Sequence, residues 1–321
     1  MLRQSGAALL TAMLTVALVA SLAAGALWQQ WRSVEIEGAD RARVQSYWVL
    51  TGALDWARLI LREDARSGGA DYLGEPWAVP LQEARLSAFL ATDKNSTADG
   101  EADTSQASQA FLSGAITDLQ SRLNVASLVE GGKLSEPGVK AFAKLFELLG
   151  LPQSELVAVA ENYRLALDTS AEKASPDAYL LPQRIDQLVM LGLSPASLSL
   201  LRPYITVLPV RTPVNLNTAS AAVLYAAIGN IDMAQAQRLV SSRQIDHFRS
   251  LAAATAQLGP LAGPLSDTQH SVGSRFFEVY GKLRLDQAVV EEYSVVQRDG
   301  IEVRALWRDR GPGAGQERAR R

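Results

Sequence analysis

Apolar positions run unbroken at the start of the chain and become periodic further on. No residue from Gln4 to Trp31 is charged, and the apolar run from Ala7 to Trp28 is 22 residues long. About 20 residues cross the hydrocarbon core of a bilayer, whereas a secretory signal has an apolar core of roughly 7–15. The run is therefore read as a membrane span, although "SLAAGA" (21–26) has the small-residue look of a cut site. Arg3 precedes the span, which predicts a cytoplasmic N-terminus and an exported remainder, and Trp28 and Trp31 suit the far interface. Beyond Arg32, Val44, Tyr47, Trp48, Leu54, Ala57 and Leu61 recur at three- and four-residue steps, with Arg41, Arg43, Asp55 and Arg58 between them. That spacing predicts one apolar helix face as far as the "RSGGA" stop at 66–70. An unbroken helix from Ala7 to Arg66 would be about 90 Å long, half in the membrane and half on a domain. The alternative is a break at "SVEIEG" (33–38), where Gly38 and the β-branched residues weaken the helix.

"YLGEPWAVP" (72–80) reads as an irregular linker. "EARLSAFLA" and "QAFLSGAITDLQ" read as two strands flanking a polar loop (92–108). Its Asp93, Asp99, Glu101 and Asp103 do not fit an EF-hand, because Ala98 stands where the turn needs glycine. From Leu123 to Leu265 the period is helical. Gly150 and Gly192 read as stops, and Ser135, Ser154 and Ser194 as N-caps, with Pro137 and Pro195 just inside. This predicts an all-α domain of about seven short helices. The period then falls to two. In "FFEVYGKLRLD", Phe277, Val279, Leu283 and Leu285 share a face; in "RDGIEVRALW", Ile301, Val303, Ala305 and Trp307 follow an Asp299-Gly300 turn. The order of helix, strands, inserted helices and strands gives an α+β fold. The tail "GPGAGQERARR" has the composition of a disordered segment.

Composition narrows the chemistry. The chain has 321 residues, 48% of them apolar, and a net charge of −3. That supports a real core and no general attraction to nucleic acid or anionic lipid. It has no cysteine, which excludes disulfides, thiolate catalysis and cysteine-bound metal. His247 and His270 lack any paired ligand spacing, "EGGKLS" (130–135) is not a phosphate-binding loop, and no nucleophile elbow is present. The sequence reads as a non-enzyme.

The first residues carry a resemblance. "MLRQSG" is short, basic and ends in glycine directly before an apolar helix, and resembles the prepilin signal of type IV pilins and pseudopilins. The resemblance implies cleavage by prepilin peptidase between Gly6 and Ala7 and methylation of Ala7. Most of that family carries Glu at the fifth residue after the cut; here it is Thr11. "GAALLTAMLTVAL", "LGEPWA" (73–78) and the Asn215, Asn217, Thr218 element resemble the K minor pseudopilins of type II secretion. So does the stretch with Asp118, Arg122 and Asn124, although Leu123 and Ala126 replace that family's Phe and second Asn.

The resemblance implies a pilin-like fold, a long helix on a small antiparallel sheet, with a large inserted all-α domain. The expected parts are a leader (1–6), a transmembrane and spine helix (7–67), the first part of the pilin body (68–121), the α-domain (122–270), the C-terminal strands (271–308) and a disordered tail (309–321). It implies a subunit at the pseudopilus tip that initiates assembly or limits length, anchored in the bacterial inner membrane with a periplasmic C-terminal domain. Implied partners are the I and J minor pseudopilins, other pseudopilins, prepilin peptidase and secreted substrates. Thr11, Val44, Tyr47, Trp48, Leu54 and Leu61 would pack in the filament. The family also binds calcium through an acidic segment with a Gly-Ala-Glu-Asp run. The nearest segment here lacks that run and offers Glu161, Asp168, Glu172 and Asp177.

One motif points elsewhere. Residues 214–243 resemble the helix-hairpin-helix unit of membrane-anchored DNA receptors. In that reading Asn217 and Thr218 cap the first helix, Leu224 and Ile228 face the core, and Ala234, Leu239 and Val240 line the second helix. The hairpin "IGNID" keeps only Gly229, and Asp232 stands where a phosphate would sit. No lysine occurs between Lys173 and Lys282, leaving Arg238, Arg243 and Arg249 to neutralise phosphates. The expectation is a structural hairpin and no nucleic acid.

Overall fold

A computed structural model describes residues 5–87, 110–168, 179–258, 265–285 and 288–311. Helix α1 (Ser5–Ser67) is unbroken through the 33–38 segment and is about 95 Å long. Its first part stands clear of the rest of the protein, as an apolar span does. Burial begins at Ser46 and continues at Leu50, Leu54, Ala57 and Leu61, steps of three and four that form one stripe. The stripe packs on Trp77, Phe277, Val279, Val296 and Val303, and at Leu50 on Leu112 and Leu283. Each buried leucine contributes about 2 kcal/mol. The helix stops at Gly68, whose φ of +66° favours glycine and whose N–H bonds to Asp64 O at 3.1 Å.

The stripe lies on a five-stranded antiparallel sheet of β1 (Leu81–Arg85), β2 (Ala110–Asp118), β9 (Phe276–Leu285), β10 (Ala288–Asp299) and β11 (Glu302–Gly311), in the order β1-β2-β9-β10-β11. Strand β1 starts and ends earlier than the sequence suggests. In the last hairpin Asp299 pairs with Glu302, so the loop residues are Gly300 (φ +56°) and Ile301 rather than Asp299 and Gly300. Glycine at the first loop position matches the strand twist. The expected alternation along β11 also fails. Val295 pairs with Trp307 and Val296 with Ala305, which leaves Leu306 as a bulge. A one-residue bulge flips every later side chain. Val303 therefore joins the α1 core, while Trp307 packs on the other face with Leu119, Leu208, Phe276 and Val295. The strand runs on to Gly311, so residues 309–311 belong to the sheet and not to a tail.

The chain between β2 and β9 forms the α-domain. Among the described residues it contains α2 (Glu136–Leu148), α3 (Gln153–Leu167), α4 (Pro195–Leu201), α5 (Ala221–Ala227), α6 (Met233–Ile245) and α7 (Leu251–Leu258) around one core. It is not purely helical. Two-residue strands pair in parallel, β3 (Leu123–Asn124) with β6 (Ile205–Thr206) and β7 (Val214–Asn215) with β8 (His270–Ser271). Strands β4 (Val129–Glu130) and β5 (Lys133–Leu134) form a third, antiparallel pair. Of the serines read as caps, Ser194 holds Ser197 N at 3.2 Å, Ser135 makes no cap bond, and Ser154 lies inside α3.

Candidate functional site

The residues expected to pack in a filament fall on two sides of α1. Leu54 and Leu61 are buried in the subunit's own core, so they cannot meet a neighbour; helical spacing alone cannot say which neighbour an apolar side chain meets. Val44 and Trp48 lie on another side and are exposed, Trp48 by 66%. Trp56 and Leu59 are exposed too. Tyr47 is half committed. The Arg310 guanidinium lies 4.5 Å from its ring centre, and Arg308 donates to Thr51 Oγ1 at 3.1 Å. Both arginines are held by buried Glu292, at 2.8 Å from Arg308 Nε and 2.6 Å from Arg310 Nε. At the membrane end, Gly6 and Ala7 lie in the first turns of α1. Thr11 Oγ1 donates to Ala8 O at 3.0 Å, within its own helix.

The motif residues meet at the joint between the pilin body and the α-domain. Asp118, the last residue of β2, is buried. Its Oδ1 accepts from Gln120 N at 2.7 Å, and its Oδ2 from Asn215 Nδ2 at 3.1 Å, Thr218 Oγ1 at 2.5 Å and Ser274 Oγ at 2.6 Å. Burial pushes its pKa up to about 6, against those hydrogen bonds. Asn124 Oδ1 accepts from Ala126 N and Leu208 N, and its Nδ2 donates to Val210 O and Thr212 Oγ1. Arg122 takes part through its backbone N–H, bonded to Leu119 O at 3.3 Å.

A second cluster adjoins the first. Asp71 Oδ2 accepts from Ser274 N at 2.6 Å, and Asp71 O accepts from Asn215 Nδ2. Buried Arg298 forms salt bridges with Asp71 and Asp64 and donates to Ser274 O at 2.8 Å. Burial raises the pKa of Asp64 and of Asp71, and neighbouring Glu75 adds to the rise at Asp64. Glu75 Oε2 accepts from Trp77 Nε1 at 2.7 Å. The sequence reading missed Asp71, Ser274 and Arg298. No local signal marks them: Arg298 stands between Gln297 and Asp299 in a strand that also carries Glu291 and Glu292.

The hairpin explains its own sequence. Asn217 does not cap α5. Its side chain bonds Phe248 N and Phe248 O, both at 2.9 Å, and Thr218 serves Asp118; Ser220 is the cap. Asp232 caps α6 in a reciprocal box with Gln235. Ala236, not Ala234, faces the core. Lys144 of α2 donates to Ile228 O and Gly229 O at 2.9 and 3.1 Å, so a protein ammonium satisfies the hairpin carbonyls. Arg243 points inward to Leu216 O at 2.5 Å.

Two of the four acidic residues suggested for calcium, Glu161 and Asp168, lie within the described residues. Glu161 is paired with Arg164, its pKa lowered by that bond; Asp168 follows the end of α3, and Glu172 and Asp177 lie outside the described residues. Among the described residues, Asp64, Asp71 and Glu75 have carboxyl oxygens within 4.8 Å of one another. Arg298 is the cation that Asp64 and Asp71 hold.

The geometry is that of a helical anchor, a small sheet and a bolted-on helical domain, with no catalytic constellation among the described residues. Two family models, both described as Type II secretion system (T2SS), protein K, match residues 121–210 and 214–273. A protein of Pseudomonas aeruginosa named "Type II secretion system protein K" is 30% identical over 97% of this chain and 94% of its own. Another of that name, from Pectobacterium carotovorum subsp. carotovorum, is 26% identical over 96% of this chain and 97% of its own. A chain of the GspK-GspI-GspJ complex of the enterotoxigenic Escherichia coli type 2 secretion system superposes with a TM-score of 0.60 at 16% identity, over 86% of this chain and 99% of that one. With its pilin-like α+β fold and apolar N-terminal helix, the chain belongs to the type II secretion system protein K family, the K-type minor pseudopilins.

Proposed function

We propose that this chain sits at the tip of the pseudopilus and starts the filament or limits its length. The observation that carries this is position 11. A subunit covered by another in a pilin filament uses a carboxylate there to meet its neighbour's N-terminus. Thr11 has none, and its hydroxyl is turned back to Ala8 O. Ala7, once freed by cleavage after Gly6, would still present an amine to a subunit below. The α-domain adds bulk where a further subunit would stack. The structural relative is a subunit of a complex with GspI and GspJ. We carry that partnership to this chain, with Val44, Trp48, Trp56 and Leu59 as the exposed apolar positions of α1 that meet the I- and J-type subunits. The N-terminus is cytoplasmic and the α-domain periplasmic in this reading, which follows the charge before the span. The test is filament length. Overproducing the chain shortens or abolishes filaments of the major subunit, and deleting it lengthens them or makes them more frequent. Unchanged length in both conditions removes the assignment.

A further inference from the structure

The joint between the pilin body and the α-domain gathers more acid than it neutralises. Three buried or nearly buried aspartates face it: Asp64 from the end of α1, Asp71 from the linker and Asp118 from the end of β2. Glu75, also from the linker, stands beside Asp64. Arg298 of β10 is the one buried cation bonded to them among the described residues. Arg275 turns outward to pair with Asp299. Glu63 and Arg66 of α1 pair at the surface. From the α-domain come the neutral Asn215 and Thr218, and His247, whose ring stacks on Tyr72 at 3.8 Å. His270 of β8 is turned away, its ring nitrogens near Ala227 O and Ser266 O.

The hydrogen bonds around Asp118 can accept a proton without rebuilding. Thr218 Oγ1 lies 2.5 Å from Asp118 Oδ2 and 3.5 Å from Asn215 O. If Asp118 becomes the donor, the Thr218 hydroxyl rotates to Asn215 O and accepts from the new carboxyl proton. The two segments that connect the two parts, the end of β2 and the return at Ser274, converge with the Asn215–Thr218 turn of the α-domain on Asp118 and Asp71.

We propose that this joint is a proton-operated latch: proton uptake by the carboxyls around Asp118 and Arg298 in mild acid fixes the α-domain on the pilin body, and proton release loosens it. The sign follows from linkage. Asp118 is held at about 6 in the closed joint and returns toward 3.8 when the joint opens. The closed form therefore binds more protons between those values, and closure is favoured as pH falls through about 6. Asp64 and Asp71, also raised, act in the same sense. Burial lowers the pKa of His270, which acts in the opposite sense. That contribution is common to the wild type and to carboxyl variants, and cancels in their comparison.

The experiment is hydrogen exchange on the full chain in detergent micelles at pH 7.5 and 5.0, corrected for intrinsic rates. The reporting amides are Asp71 N, Gln120 N, Ser274 N and Arg275 N, each bonded across the joint or to a residue of it. The expected result is about a tenfold rise in their protection at pH 5.0, with α2 amides changed less than about twofold. Asp118→Asn reduces the rise to under about threefold. Should that variant fold poorly, Asp64→Asn, at the edge of the cluster, gives an intermediate rise. Protection that is flat or falls with acid in the wild type overturns the latch, and so does a full tenfold rise retained in the variant that is measured.

Discussion

Thr218 donates to Asp118 across 100 positions of sequence, at 2.5 Å, and both residues are buried. The bond ties the last residue of a sheet strand to a turn of the helical domain. Because the acceptor is a carboxylate, the bond is stronger than a neutral one.

Thr218→Val keeps the shape and removes the donor. A hydrogen bond to a charged group is worth about 1.5–3 kcal/mol, so unfolding stability at pH 7.5 falls by that amount. Denaturant titration of the full chain in detergent measures it. A loss below about 0.5 kcal/mol means that the bond to Asp118 is dispensable.

Arg298→Ala leaves Asp64 and Asp71 buried without their cation. Breaking a buried pair by removing one partner costs about 3–5 kcal/mol. The loss is larger at pH 7.5 than at pH 5, because the orphaned carboxyls take up protons in acid. Unfolding curves at the two pH values check both size and sign; equal losses at both contradict the reading.

The two sides of α1 separate stability from assembly. Leu61→Ala opens a cavity in the core and costs about 2–5 kcal/mol. Trp48→Ala, at an exposed position, changes stability by less than about 0.5 kcal/mol and weakens co-purification with the I- and J-type subunits. If Trp48→Ala co-purifies at wild-type yield, the exposed side is not the contact.

The hairpin is expected not to bind duplex DNA. Lys144 fills its carbonyls and Asp232 is used as a cap. Fluorescence anisotropy with a labelled duplex at physiological salt gives no sub-micromolar binding. Salt-sensitive binding in that range would reinstate the DNA reading.

Cleavage is tested at Gly6. Gly6→Val leaves the apolar span intact, so the protein still inserts but stays uncut, and its intact mass retains residues 1–6. Normal processing of the variant, with a product starting near Ala26, contradicts the pilin signal.

Much of the fold follows from short-range pattern. The length of the apolar run, the three-four spacing at Leu54, Ala57 and Leu61, and the glycine stops are local, and local periodicity carries them. The bulge at Leu306 was not legible, because a one-residue slip leaves an alternating sequence looking regular on paper. Nor was the division of α1 into buried and exposed sides, since Trp48 and Leu54 are equally apolar and only the sheet decides between them. The joint was half legible. Asp118, Asn215 and Thr218 stood out through family resemblance, while Asp71 and Arg298 meet across 227 positions and carry no local signature.

The most direct test of the tip assignment is to see where the chain lies on a filament. Gold labelling of an epitope in the α-domain, on pseudopili assembled from the major subunit together with this chain, should put the label at one end and at most once per filament. Label distributed along the shaft would contradict the account.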